Sequence, residues 1–127
     1  MTPAEIRDRI HQAAAACIAQ DGQAFAALFH PHGELILPGS RIVGKEAIEQ
    51  VTTKYLGTCE NIKIQIQRVI VEGLQAVVEW LWLDEKKSGQ FSYAENAIVV
   101  DFKAGLIVRW REYTDTKTQF CPLENIS

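Results

Sequence analysis

The stretch LIVRWREYTD, residues 106–115, decides the fold because it alternates like a β-strand. Side chains along a strand point to opposite faces in turn, so one face carries Val108, Trp110 and Glu112. That face is apolar apart from Glu112, and a carboxylate turned towards an apolar interior is costly unless it is paired, hydrogen-bonded or protonated. Glu112 is therefore the first candidate for a chemical role, as a general acid or base.

The two preceding strands alternate in the same way and extend this inner face. Its remaining members are Trp80 and Trp82 on one strand and Asn96 and Ile98 on the next. The tryptophans either line a site for an apolar ligand or fill the space as a solid core. Asn96 either holds a polar group of a ligand or hydrogen-bonds Glu112, and we favour the second because buried polar groups usually pair. Glu112 itself has a structural alternative, as a carboxylate bonded to a backbone amide, a tyrosine or an arginine such as Arg41 or Arg68.

Helical patterns dominate the first half of the chain. Thr2-Pro3-Ala4-Glu5 is typical of a helix start, and Asp21 is expected to cap a second helix whose buried face includes Phe29. A turn at residues 30–33, a short strand at 34–37 and a third helix from Gly44 to about residue 56 follow. Four strands joined by hairpins complete the order α-α-β-α-β-β-β-β. The prediction is an α+β domain in which three N-terminal helices lie on one side of a curved antiparallel sheet.

Composition narrows the functional classes. The chain of 127 residues has a net charge of −3 and no basic stripe, so we expect one domain over residues 1–127 and no nucleic-acid partner. No membrane segment or signal peptide is indicated, and a cytoplasmic location is the expectation. The cysteines, Cys17, Cys59 and Cys121, are too scattered for a disulfide framework. No metal or other cofactor is implied.

Three smaller features complete the prediction. His30 and His32 lack a convincing third metal ligand, and His11 on the first helix is more typical of a solvated histidine than a catalytic one. The charged run 84–87 is interpreted as a solvated hairpin loop. The run of small residues around Ala14 leaves space for a neighbouring element or for a ligand.

The outer face of the predicted sheet is too apolar for plain exposure to solvent and too charged for a core. It carries Val77, Leu81 and Val99 beside Glu79 and Arg111. Such a mixed surface is typical of a partner interface. We expect a homodimer that packs through this outer face with two-fold symmetry.

This order of elements resembles the nuclear transport factor 2 superfamily, in particular its SnoaL-like branch. The motifs that carry the resemblance are Ala27-Leu28-Phe29, the helix start at 43–48 and the final strand at 105–115. The resemblance covers nearly the whole chain. It implies a cone-shaped, curved antiparallel sheet that wraps around the three N-terminal helices. It also implies a deep pocket between helices and sheet, apolar with a few polar groups, in a superfamily that contains both enzymes and non-enzymes.

Limonene epoxide hydrolases are similar in the final strand, where Glu112 takes the place of their acidic residue. The family's other polar catalytic positions correspond here to apolar residues, namely Trp80, Trp82, Leu35 and Leu37. Opening an epoxide requires a positioned water, a base and an acid. The resemblance therefore adds Leu35 and Leu37 to the predicted pocket and argues against that family's mechanism.

The resulting hypothesis is a SnoaL-like protein that binds a small, mostly apolar molecule. As an enzyme it would be a cofactor-free isomerase, cyclase or hydrolase/hydratase that transfers a proton through Glu112, with Asn96 orienting the substrate. The alternative is a module for ligand binding or dimeric assembly without catalysis.

Overall fold

The computed structural model describes residues 1–117, and Cys121 lies outside the described residues. Within them the chain forms three helices and six strands. The helices are α1 (Pro3–Ile18), α2 (Gly22–Ala26) and α3 (Lys45–Leu56). The strands are β1 (Phe29–Leu37), β2 (Ser40–Val43), β3 (Cys59–Glu72), β4 (Gln75–Lys86), β5 (Phe91–Lys103) and β6 (Leu106–Asp115). This confirms the predicted α+β class.

The helix starts follow from the capping residues. Thr2 accepts a hydrogen bond from the backbone N–H of Glu5, whose side chain accepts one from the backbone of Thr2, and this reciprocal pair fixes the start of α1. Asp21 caps α2 through the backbone N–H of Ala24. However, α2 ends at Ala26, so Phe29 lies at the start of β1 and not on the helix.

Strand β1 differs from its prediction. Residues 30–33, which we predicted to form a turn, lie inside β1 as an irregular section: Phe29 pairs with Ile107 and Glu34 with Arg109 of β6. Five steps along β1 therefore match only two along β6, so the intervening residues bulge out of the ladder. The β1–β6 pairing is parallel, while the other pairings of the sheet are antiparallel.

Strand β2 is the one element of the described chain that the sequence did not predict. Pro38-Gly39, which follows the predicted short strand at 34–37, is a two-residue turn that pairs Leu37 with Ser40. Proline fixes the first turn position, and Gly39 takes the positive φ of 78° that the second requires. The strand order β2-β1-β6-β5-β4-β3 gives a curved, unclosed six-stranded sheet.

The helices pack on the inner face of this sheet. Ile6 and Ile10 of α1 join Trp80, Ile98 and Trp110 in one buried cluster. Even-numbered residues of β4 and β5 face the core, as their alternation predicts. A bulge between β5 and β6 shifts the alternation in the last strand, so that the core-facing residues of β6 do not all have even numbers.

That bulge corrects the position of Val108. Asp101 pairs with Arg109, but Phe102 pairs with Ile107, so Val108 has no partner in the ladder. Ile107 is fully buried in the core, whereas Val108 is partly exposed. The inner face of β6 therefore consists of Ile107, Trp110, Glu112 and Thr114.

Candidate functional site

A cavity of about 230 Å³ lies between the helices and the inner face of the sheet. Five aromatic residues line it, namely Phe25, Tyr55, Trp80, Trp82 and Trp110. Leu35, Leu37, Val51 and Leu56 add aliphatic surface, and the polar side chains of Asn96, Glu112, Thr52 and Thr114 also line it. The cavity is thus a mostly apolar space with a few polar groups, which is the usual composition of a small-molecule site.

The tryptophans form the wall of this cavity without filling it. Trp80 and Trp110 are almost fully buried, with ring centroids 5.7 Å apart, and Phe25 meets Trp110 edge-on at 5.4 Å. Trp82 packs against Tyr55 at 6.3 Å. Because the indole rings are held against one another and against α2 and α3, the space between them is well defined.

Glu112 faces this cavity from β6. Its Oε2 accepts a hydrogen bond of 2.9 Å from Trp110 Nε1, two residues earlier on the same strand face. Burial raises the pKa of Glu112, and the hydrogen bond from Trp110 opposes the rise without cancelling it. The residue keeps some exposed surface because it borders the cavity, so a ligand can reach a carboxyl group that holds its proton more tightly than usual.

The arginines considered as partners of Glu112 are engaged elsewhere. Arg41 Nε donates to Glu34 at 2.6 Å, and Arg68 Nε donates to Glu79 at 2.7 Å. Among residues 1–117, no lysine, arginine or histidine lines the cavity. Arg41 and Arg68 are therefore not the partners of Glu112, and the one hydrogen bond described for its side chain comes from the neutral indole of Trp110.

Asn96 lies beside Glu112 but does not pair with it. Asn96 is opposite Trp80 and Thr114 in the ladder, while Glu112 is opposite Ile98. The two side chains are thus diagonal neighbours on one face, a relation that separates residues by about 7–8 Å. Asn96 Oδ1 and Trp80 Nε1 are both buried without a hydrogen-bond partner. The expectation that Asn96 satisfies Glu112 is wrong, and two unpaired polar atoms remain at this part of the wall.

The other predicted pocket residues divide between wall and core. Leu35 and Leu37 line the cavity, but Ile98 is fully buried in the core and Ala14 lies in the core face of α1. Val108 lies outside the cavity for the reason given above.

Nine wall residues were missed as pocket candidates, namely Cys17, Phe25, Pro38, Val51, Thr52, Tyr55, Leu56, Ala94 and Thr114. Cys17 follows Ala14 by about one turn of α1. Burial and the nearby charge of Glu112 raise the pKa of Cys17 to about 12. Phe25 on the short helix α2 also lines the cavity.

A second polar cluster, which we call the Asp84 network, lies at the cavity's rim. Asp84 accepts hydrogen bonds from Tyr55 Oη at 2.5 Å, Trp82 Nε1 at 2.8 Å and Lys86 Nζ at 3.0 Å. Lys86 also donates to Tyr55 Oη at 2.7 Å. Tyr55 and Trp82 belong to the cavity wall, so the network holds α3 and β4 together at this edge.

The Asp84 network corrects the prediction of a solvated loop at residues 84–87. Asp84 and Lys86 lie in β4, and Asp84 has no exposed surface. Burial alone would raise the pKa of Asp84, but its three hydrogen bonds outweigh that effect and lower it. Burial and the bond to Asp84 raise the pKa of Tyr55 to about 12, so its hydroxyl stays protonated.

The sequence analysis considered His11 for a catalytic role and His30 with His32 for a metal site. His11 is exposed on α1 and does not line the cavity. His30 Nδ1 accepts a hydrogen bond of 3.0 Å from the backbone N–H of His32, and no group of three or more metal-ligating side chains is found among residues 1–117.

Three helices in the hollow of a curved six-stranded sheet define the nuclear transport factor 2-like fold. Residues 10–110 match the model of the SnoaL-like domain, and the chain therefore belongs to the SnoaL-like family. A search of curated proteins finds no match. No helix among residues 1–117 is long and apolar enough to cross a membrane.

Solved structures with low sequence identity share this fold. A ketosteroid isomerase-like protein from Catenulispora acidiphila, crystallised with trimethylamine, is 18% identical with a TM-score of 0.77, over 89% of this chain and 86% of that one. A SnoaL-like polyketide cyclase from Jannaschia sp. is 14% identical with a TM-score of 0.76, over 91% and 90%. TerC, crystallised with polyporic acid, is 16% identical with a TM-score of 0.76, over 88% and 92%. At these identities the comparison establishes the fold alone.

Proposed function

We propose that this SnoaL-like protein binds a small, mostly apolar molecule in the aromatic-walled cavity and catalyses a proton transfer within it. The reaction class is isomerisation, cyclisation or hydration, with Glu112 as the general acid or base. The observation that carries the proposal is the position of Glu112: its carboxyl group borders the cavity and, within residues 1–117, has only Trp110 as a hydrogen-bond donor.

The chemistry follows from this environment. A general base works best when its pKa lies close to the working pH, and burial moves the pKa of Glu112 upwards in that direction. The lining around the carboxyl group is mostly apolar, and a bound substrate that displaces water from it would strengthen the electrostatic effect of the carboxylate. Asn96 lies close enough on the same face to orient a polar group of the substrate.

The proposal is tested with 5-nitrobenzisoxazole, a small aromatic probe that reports a base in an apolar site. A base removes the proton from the ring carbon, the N–O bond breaks, and the coloured cyanophenolate forms without another reagent. We expect catalysis above the buffer rate, increasing as the pH rises through the pKa of Glu112. Because general-base catalysis contributes about 10²–10⁴-fold, Glu112→Gln is expected to lower kcat/KM by about 10²-fold.

The matched control is Glu49→Gln, which makes the same chemical change at an exposed position of α3. This variant is expected to keep the rate of the wild-type protein. Binding of the probe without turnover in the wild-type protein would favour the alternative of a ligand-binding module. Equal rates for the two variants would reject Glu112 as the base.

A homodimer through the outer sheet face is a second proposal, favoured by the composition of that face. Leu81 and Leu83 are buried there against Tyr93. Val77 and Tyr113 remain 37% and 51% exposed on the same face, and exposed apolar groups beside polar ones are typical of interfaces.

Sedimentation velocity tests the dimer. We expect twice the 14.3 kDa of the single chain at micromolar concentration, and a single-chain mass for Val77→Glu, which places a charge in the interface. A wild-type protein of single-chain mass at 100 µM would contradict the proposed dimer.

The cytoplasmic location stays a prediction.

A further inference from the structure

We infer that the molecule recognised by the cavity is a small organic cation, an alkylammonium, with Glu112 as its counter-ion and the aromatic rings as its wall. The inference rests on the proposed function, because it names the ligand class of the same cavity. It goes beyond that function by assigning a charge to a ligand described so far only as mostly apolar.

The charge balance of the wall is the first argument. Among residues 1–117, Glu112 is the one acidic residue that lines the cavity. No basic residue of this part of the chain lines the cavity to balance a negative charge on Glu112. An ionised carboxylate in an apolar site is costly unless a cation or several hydrogen bonds accompany it. Trp110 supplies one hydrogen bond from a neutral group. A cationic ligand would supply the missing charge, whereas an anionic ligand would add a second one of the same sign.

The aromatic wall is the second argument. The face of an indole or phenol ring attracts a cation within about 6 Å of its centroid, and tryptophan does so most strongly. Trp80 and Trp82 of β4 and Trp110 of β6 line the same space. Tyr55 of α3 also lines it, but Lys86 Nζ already lies over the Tyr55 ring, 4.3 Å from its centroid, so the three tryptophans carry this argument. The ring planes of Trp80 and Trp110 are inclined to each other by 55°, and those of Tyr55 and Trp82 by 52°. The rings therefore face the space from different directions and do not form one flat stack. Several rings around one space with a carboxylate at its edge are the groups that bind alkylammonium ions.

Asn96 gives the third argument. Its side chain is 93% buried, it borders the cavity, and its Oδ1 lacks a partner. A carbonyl oxygen in this position can only accept a hydrogen bond. An ammonium group has N–H donors, or polarised C–H groups when fully alkylated, and thus suits an acceptor beside a carboxylate.

The one nearby lysine does not replace such a ligand. Lys86 lies at the rim in the Asp84 network, where its charge is balanced by Asp84 at 3.0 Å and its ammonium group also binds Tyr55. Lys86 is not part of the cavity wall. The charge of Glu112 therefore stays uncompensated within the described chain.

Choline and 3,3-dimethylbutan-1-ol test the inference, because the second compound has the shape of the first with carbon in place of the charged nitrogen. Binding is followed by tryptophan fluorescence: the chain has three tryptophans and all three line the cavity. We expect choline to bind the wild-type protein at least tenfold more tightly than the neutral compound. Glu112→Gln should remove most of this preference, and Glu49→Gln should keep it.

The outcomes separate this inference from the proposed function. Equal affinity for the two compounds, or tighter binding of the neutral one, overturns the cationic ligand and leaves an apolar binding site intact. Absence of binding for both overturns the inference and also counts against the proposed site. The comparison of the two compounds in the wild-type protein decides the question even if Glu112→Gln does not fold.

Discussion

Removal of the Asp84 carboxylate is expected to destabilise the protein severely, although its sequence context suggests a tolerant surface loop. Asp84→Ala leaves three donors without their acceptor, on Tyr55, Trp82 and Lys86. Each hydrogen bond to a charged group contributes about 1.5–3 kcal/mol. Tyr55 and Lys86 regain water because they are partly exposed, so the contributions do not simply add. Breaking a buried charge pair costs about 3–5 kcal/mol, and we expect a loss of about 3 kcal/mol.

Urea unfolding measures this loss directly. Since small proteins unfold with a slope of about 1–3 kcal/mol per molar urea, the midpoint of Asp84→Ala should fall by about 1–3 M. Tyr55→Phe removes one of the three donors and should cost about 1 kcal/mol. The double variant should then cost less than the sum of the two single changes, because they share a hydrogen bond.

The pH dependence provides an internal control. The pKa of Asp84 is lowered in the folded protein, so its stabilising contribution is present above the pKa of the unfolded chain and disappears as the pH falls through the folded value. The difference between the wild-type protein and Asp84→Asn should therefore shrink in acid. A loss below about 1 kcal/mol at pH 7 for Asp84→Ala would refute the buried network, since a solvated surface charge contributes that little.

Three further predictions concern the cavity and the helices. Glu112→Gln should stabilise the protein at pH 8, by about 1.4 kcal/mol for each unit by which burial raises the pKa of the Glu112 carboxyl group. Because the raised pKa in the folded protein favours the protonated form, this gain should vanish below the pKa of the unfolded chain. Urea unfolding at the two pH values measures the difference. Gly22→Ala should lower the urea midpoint by a cost of about 1–3 kcal/mol, since an added Cβ would lie 2.7 Å from the backbone nitrogen of Thr53, and an unchanged midpoint would contradict this close approach of α2 to α3. Thr2→Ala should cost about 1 kcal/mol by removing the cap of α1, and thermal unfolding that matches the wild-type protein would show that the cap is dispensable.

The sequence was sufficient to predict the fold class because its decisive signals are local. The capping pairs at Thr2 and Asp21 and the alternation of β4 and β5 depend on residues close in the chain, and the structure confirms them. The bulge at Val108 depends on how β5 and β6 pair, which alternation within one strand cannot reveal. The same reason explains the missed strand β2: a turn at Pro38-Gly39 shows where a strand ends but not that a partner follows.

The candidate site was partly predictable for a related reason. The alternation of side chains along the strands placed Trp80, Trp82 and Glu112 on one face of the sheet, and the cavity lies at that face. The partners of polar residues were not predictable, because they come from distant parts of the chain. Asp84 reaches Tyr55 across 29 positions, and its charged neighbours in sequence suggested exposure. The roles of these residues in binding and catalysis stay predictions.

The titration of Glu112, followed by carboxyl-carbon NMR and assigned with Glu112→Gln, tests the central claim most directly. If this carboxyl group borders a water-poor aromatic cavity without a cation, its pKa in the ligand-free protein lies above the ordinary value of about 4.3 for glutamate, and choline lowers it. A pKa at or below that ordinary value would mean that Glu112 is solvated or paired with a cation, and would contradict the account.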